Sequence, residues 1–129
     1  MRFDDENLTI RINEYGSRMV FGDLEAEIME AVWLHEGPVA VRDIHASLAK
    51  SRKIAYTTVM TTMNRLAEKS ALRVVGTVGL ANQFSPSMPR DDFFEEIVGH
   101  IVKVLFREFP AETQASLLRL GDPAGNVQK

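Results

Sequence analysis

The sequence predicts a mainly α-helical fold with one small β-hairpin, in the order helix, helix, helix, hairpin, helix, helix. Three observations predict it. Apolar residues recur at helical spacing in five stretches. Between Leu72 and Phe84 the pattern switches to two short strand-like runs around a glycine-containing turn. Gly37-Pro38, then Pro86 and Pro89, then Pro110 stand where one pattern gives way to the next.

The chain has 129 residues, enough for one domain or a small domain with a helical extension. Apolar residues at 45% and charged residues at 26% are ordinary for a soluble globular protein. No apolar run reaches the roughly 18 residues that a membrane span needs. The start, Met1-Arg2-Phe3-Asp4-Asp5-Glu6, is acidic and lacks an apolar signal core, which predicts no export. The absence of cysteine excludes disulfides and thiolate metal sites and fits a cytoplasmic location.

Net charge is −3, but it is unevenly spread. Lys50 to Arg73 carries six basic residues and one acid, whereas residues 1–36 carry three basic and nine acidic ones. A phosphate backbone responds to the local patch rather than to the total. The competing reading is a solvated helix hairpin.

Residues 1–20 alternate at Leu8, Ile10 and Ile12, like a strand, and turn at Tyr15-Gly16-Ser17. Three readings stay open here: an edge strand, an arm ordered by a partner, or a disordered leader. The first helix starts at Gly22-Asp23, with Asp23 as N-cap and Glu25 and Glu27 where the helix dipole favours acids. Leu24, Ile28, Ala31 and Val32 form its buried stripe, with Trp33 on the shoulder. After the short extended piece Val39-Ala40-Val41, a second helix runs to about Ser51, burying Val41, Ile44 and Leu48. The basic turn Lys50-Ser51-Arg52-Lys53 leads into a third helix that runs from Ala55 to about Ser70. Two helices joined by a short turn, the second rich in small polar residues, make a helix-turn-helix.

Leu72–Val75 and Leu80–Phe84 then read as strands, with Gly76–Gly79 as the turn. An apolar helix spans about Asp91 to Phe109, and a last one about Ala111 to Leu120, stopping at Gly121. The expected class is therefore mainly α with a small β-hairpin, a winged helix-turn-helix plus C-terminal dimerisation helices. Residues 1–20 would be an N-terminal extension (arm or disordered) and 21–86 the DNA-binding domain. Residues 87–121 would be the helical dimerisation region and 122–129 a flexible tail. Phe94, Ile97, Ile101, Val104, Leu105, Leu117 and Leu118 exceed what so small a core can absorb, and a second copy of the chain is the simplest cover.

At about 100° per residue the third helix sorts into faces. Val59, Thr62, Met63 and Leu66 point inward, while Thr57, Thr61 and Asn64 point outward. Thr58 and Arg65 lie on one shoulder and Met60 on the other. Thr and Asn hydrogen-bond base edges, and Thr methyls and Met60 suit thymine methyls. Arg65, Thr58, Lys53 and the Tyr56 hydroxyl suit phosphates, and Arg42 joins the candidate DNA contacts. Solvated threonines are the alternative. Threonine is a mediocre helix former, so four in six residues (Thr57, Thr58, Thr61, Thr62) favour a role beyond stability.

Phe21-Gly22-Asp23-Leu24-Glu25, Ile28-Met29, Val32-Trp33, Val41-Arg42-Asp43-Ile44 and above all Ala55-Tyr56-Thr57-Thr58-Val59-Met60-Thr61-Thr62 with Asn64-Arg65-Leu66 carry a resemblance. So does the spacing on to Phe84-Ser85-Pro86. The chain resembles the penicillinase-repressor family of bacterial winged-helix regulators, the BlaI/MecI group, over about residues 21–120. The resemblance implies transcriptional repression by a homodimer on a palindromic operator in double-stranded DNA. It also implies dimerisation through the C-terminal helices, and release in some members by proteolysis.

The chain departs from the family pattern in several places. Val74 to Pro89 carries no charge where family wings are usually basic. Phe84 stands where a tyrosine is common and Ser70 where a glycine is usual, so Ser70 is expected to take a left-handed cap at some cost or to end the helix differently. The cysteine cluster of the copper-responsive branch is absent. Leu105-Phe106 and Glu108-Phe109 replace the Asn-Phe bond cut in β-lactam-responsive members, so penicillin-linked proteolysis is not expected.

An enzyme is not expected. His35, His45 and His100 lie on three different predicted helices, and no metal, phosphate-loop or nucleophile motif occurs. Asp91-Asp92 and Glu95-Glu96 are paired acids that fit a helix N-terminus better than the alternative, a metal site, and no cofactor is implied. The rival reading is a winged-helix interaction module with weak or lost DNA binding, favoured by the uncharged wing and the acidic total.

Overall fold

The computed structural model describes residues 8–121, so the proposed tail 122–129 and the first part of the N-terminal extension lie outside the described residues. The chain divides between Arg90 and Asp91 into two compact units. The first contains helices α1 (Asp23–Leu34), α2 (Val41–Ala49) and α3 (Tyr56–Glu68), then strands β1 (Leu72–Val78) and β2 (Ala81–Pro86). Three helices followed by a two-stranded antiparallel hairpin make a winged helix-turn-helix.

The core of this unit is assembled from one face of each helix. Val59, Met63 and Leu66 of α3 are fully buried, as are Ile28 and Met29 of α1. Val41, Ile44 and Leu48 face inward from α2 as their spacing predicts. The α1 stripe differs from expectation. Ala26 and Met29 are buried, whereas Leu24 and Ala31 are only partly covered. α1 packs against α2, α3 and β2 together, and its buried arc is shifted toward Met29 and Ala26, away from Leu24 and Ala31. Its N-cap is Gly22 rather than Asp23, and Glu25 Oε1 accepts from the Gly22 N–H at 3.1 Å.

No strand forms over Leu8–Ile12. The segment is held instead by Arg11, whose backbone N–H donates to the Met19 carbonyl at 2.8 Å. The Arg11 guanidinium caps the carbonyls of Arg18 and Phe21. Gly16, at φ +57°, opens a 3-10 turn over Gly16–Met19 and delivers buried Ser17.

The hairpin turn sits further along than the glycines suggested. Gly79 and Leu80 form a two-residue connection, with Gly79 at φ +62° as such turns require. Gly76 lies inside the ladder opposite Gln83, and the register slips between Val74 and Gly76, leaving Val75 as a bulge. On the other edge of β2, Val39 and Phe84 exchange backbone hydrogen bonds of 2.9 and 2.7 Å. That bridge buries both side chains and ties the start of α2 to the wing.

Helix α3 ends in a left-handed residue, Ser70, at φ +71°. The Ala71 N–H reaches the Leu66 carbonyl at 2.9 Å and the Ser70 N–H reaches Ala67 at 3.0 Å. This is the Schellman arrangement usually supplied by glycine.

The second unit holds most of helix α4 (Arg90–Glu108) and all of α5 (Pro110–Leu120). Pro110 begins α5, and Phe109 leaves helical geometry at ψ 65°. Phe93 rather than Phe94 is the buried aromatic, the two rings meeting edge to face at 5.2 Å. Among the described residues no helix is long and apolar enough to cross a membrane.

Candidate nucleic-acid interface

The geometry of the interface starts with the turn before α3. His45 of α2 donates from Nε2 to the Ile54 carbonyl at 2.8 Å, and its ring meets Tyr56 edge to face at 5.7 Å. One histidine thus fixes the path of the turn and the ring of the first α3 residue. The Asp43 carboxylate accepts from the Ala40 N–H at 2.8 Å and caps α2, beside exposed Arg42.

From that fixed start, α3 presents Tyr56, Thr57, Thr58, Met60, Thr61, Asn64 and Arg65 to solvent. The Thr62 hydroxyl is spent on the Thr58 carbonyl at 2.8 Å, and its side chain is buried. Thr57, Thr61 and Asn64 make no side-chain hydrogen bond among the described residues, which leaves a row of donors and acceptors open along one line of the helix. A helix with its side chains is about 10–12 Å across and fits a groove about 12 Å wide.

The basic patch is smaller than the sequence count suggests. Arg52 pairs with Glu27 of α1 at 3.1 Å and Lys69 pairs with Glu25 at 2.7 Å. Among the described residues, Arg42, Lys50, Lys53, Arg65 and Arg73 carry no ion pair; of these, Lys53 lies in the turn before α3 and Arg65 on α3 itself. Beyond Arg73 the wing adds no charge. Val74, Val75, Val78 and Leu80 are exposed on it, Leu80 completely at the turn.

On the far side of α1, Arg90 makes a double contact with Glu30, from Nε at 2.8 Å and Nη2 at 3.1 Å. The Arg90 hydrogen bond holds the Glu30 carboxyl below its ordinary range, against the opposing effect of partial burial and with help from Ser17. The Arg90 guanidinium lies 6.0 Å from the Trp33 ring centre, and the indole N–H of Trp33 donates to the Met88 carbonyl at 3.1 Å.

Sequence reasoning missed His45, Asp43, Glu25 and Glu27 as positioning groups. A capping pattern one turn into α2 could have found Asp43. The same spacing marks Glu25 as the cap of Gly22, but nothing local marks its pair with Lys69, the Glu27–Arg52 pair or the His45–Ile54 contact. Among the described residues no three His, Cys, Asp or Glu side chains gather to hold a metal.

Comparison with known proteins agrees with this architecture. The penicillinase repressor family model matches residues 21–120. The proteins named transcriptional regulator BlaI from two Mycobacterium tuberculosis strains, CDC 1551 / Oshkosh and ATCC 25618 / H37Rv, are each 33% identical over 105 residues. That stretch covers 81% of this chain and 73% of each relative. The chain therefore belongs to the penicillinase-repressor family of transcriptional regulators.

Proposed function

We propose that the protein is a sequence-specific transcriptional repressor that binds a palindromic operator as a homodimer, with α3 in the major groove. The observation that carries this reading is the exposed, uncommitted row Thr57, Thr61 and Asn64 on α3, with unpaired Lys53 in the turn before it and Arg65 on the same helix. In this reading Thr57, Met60, Thr61 and Asn64 read base edges. Arg42, Lys53, Tyr56, Thr58 and Arg65 hold phosphates and fix the register.

The dimer face lies on α4 and α5. Leu105, Leu117 and Leu118 are exposed in the single chain, the last at 79%, and Phe94, Ile101 and Val104 are half-covered. Ile97, also in the expected set, is buried within one chain and so offers little surface to a second copy. Val98, Phe106, Phe109 and Leu120 are exposed and extend the face.

The second reading, an interaction module with weak DNA binding, is favoured by the wing, which is uncharged from Val74 onward and exposes Val74, Val75, Val78 and Leu80. Selection of genomic fragments with purified protein, followed by footprinting, decides between them. The repressor reading expects a protected palindrome with salt-sensitive affinity. Absence of salt-sensitive binding to any fragment sinks it.

A further inference from the structure

We propose that Arg52 is a further phosphate-contacting residue of this interface, and that Glu27 is its built-in competitor, displaced when DNA binds. The inference rests on α3 being the DNA-binding helix. Arg52 stands in the turn that feeds α3, next to Lys53. Its Nη1 lies 3.1 Å from Glu27 Oε1, and its side chain remains 43% exposed. A guanidinium has five N–H donors in a fork that suits phosphate, so this contact leaves most of them open. Pairs this exposed are weakly held.

The neighbouring pair shows the contrast. Glu25 is 14% exposed and engaged at both oxygens, by Lys69 at 2.7 Å and by the Gly22 N–H at 3.1 Å. It braces the end of α3 against the start of α1. Glu27 is twice as exposed, and Arg52 is its ion-pair partner among the described residues. The other bases beside α1 are committed elsewhere, Arg18 to Asp23 at 3.8 Å and Arg90 to Glu30. The carboxylate therefore acts on Arg52, and a phosphate arriving at the turn meets both the cation and its counter-charge.

The test uses the full chain and a random-sequence DNA duplex, titrated by fluorescence anisotropy over a series of salt concentrations. The melting temperature of every variant is recorded alongside. Glu27→Gln is expected to bind about two- to five-fold tighter, the range an exposed pair allows. Arg52→Gln is expected to bind more weakly and to flatten the log–log salt slope by about 0.9. The double variant should match Arg52→Gln. If Glu27→Gln binds no tighter, or binds more weakly as a brace for the turn would require, the inference is overturned. If its gain persists in the Arg52→Gln background, the effect is one of net charge and the assignment to Arg52 falls. A wild type that binds the duplex while Glu27→Gln is unchanged overturns this inference alone. A wild type that does not bind overturns the reading of α3 with it.

Discussion

The Ser87 hydroxyl donates to the Ser70 carbonyl at 2.5 Å, so the strained residue that ends α3 is held by the residue that follows the wing. The backbone repeats the tie, with the Ser87 N–H on the Ala71 carbonyl at 3.0 Å. Ser70→Gly should stabilise the protein by up to about 1.5 kcal/mol, the left-handed cost of about 1–2 less the glycine entropy cost of about 0.5–1. Ser87→Ala should cost about 0.5–1.5 kcal/mol. Urea denaturation of both variants measures the two effects, and a destabilised Ser70→Gly contradicts the account.

Two substitutions on α3 should behave differently. Arg65→Ala is expected to weaken binding evenly across sequences and to flatten the salt slope by about 0.9. Thr61→Ala is expected to lose about 1–3 kcal/mol on the preferred site and little elsewhere. Equal losses on specific and random duplexes for Thr61→Ala would remove it from the base-facing row.

Acid should expose the Arg90–Glu30 contact. Glu30 has a folded-state pKa below its ordinary 4.5. Its contribution is therefore complete above that ordinary value and is lost as pH falls through the lowered one. The melting-temperature gap between wild type and Glu30→Gln should be present at neutral pH and close in strong acid. A gap that widens on acidification would reverse the sign of the argument.

Leu118→Glu tests the dimer. The residue is 79% exposed in the single chain, so the fold of one copy should survive. Light scattering is expected to report a monomer, and operator affinity should fall in the same variant. A dimeric Leu118→Glu would place the contact elsewhere on α4 and α5.

The bridge between Val39 and Phe84 makes Phe84 a keystone of the wing base. Phe84→Ala should cost about 3–5 kcal/mol in chemical denaturation. A loss under about 1 kcal/mol would mean the site collapses onto the missing ring.

What could be read in advance follows from how local each signal is. The inward face of α3 was legible because Val59, Met63 and Leu66 repeat at the helical period and are fully buried. Ser70 was legible as an abnormal cap only through the family resemblance, which puts a glycine at that position; the structure gives it φ +71°. The wing turn was misplaced because Gly76 and Gly79 are both plausible turn residues, and strand alternation does not reveal a bulge at Val75. The segment over Leu8–Ile12 alternates like a strand but has no partner strand, and Arg11 folds it into a loop. The basic patch was overcounted because Glu25 and Lys69 are 44 positions apart. No periodicity links such a pair.

The bulge at Val75 has a consequence for how the protein behaves in concentrated solution. β1 has β2 on one side only, and it carries exposed Val74, Val75 and Val78 with no charge after Arg73. A flat apolar strand of that kind is a template onto which another molecule's strand can add without limit. The extra residue kinks the free edge and breaks the regular spacing of its amides. With Arg73 the one charge on this strand, the bulge at Val75 is the second feature of the edge that opposes such addition.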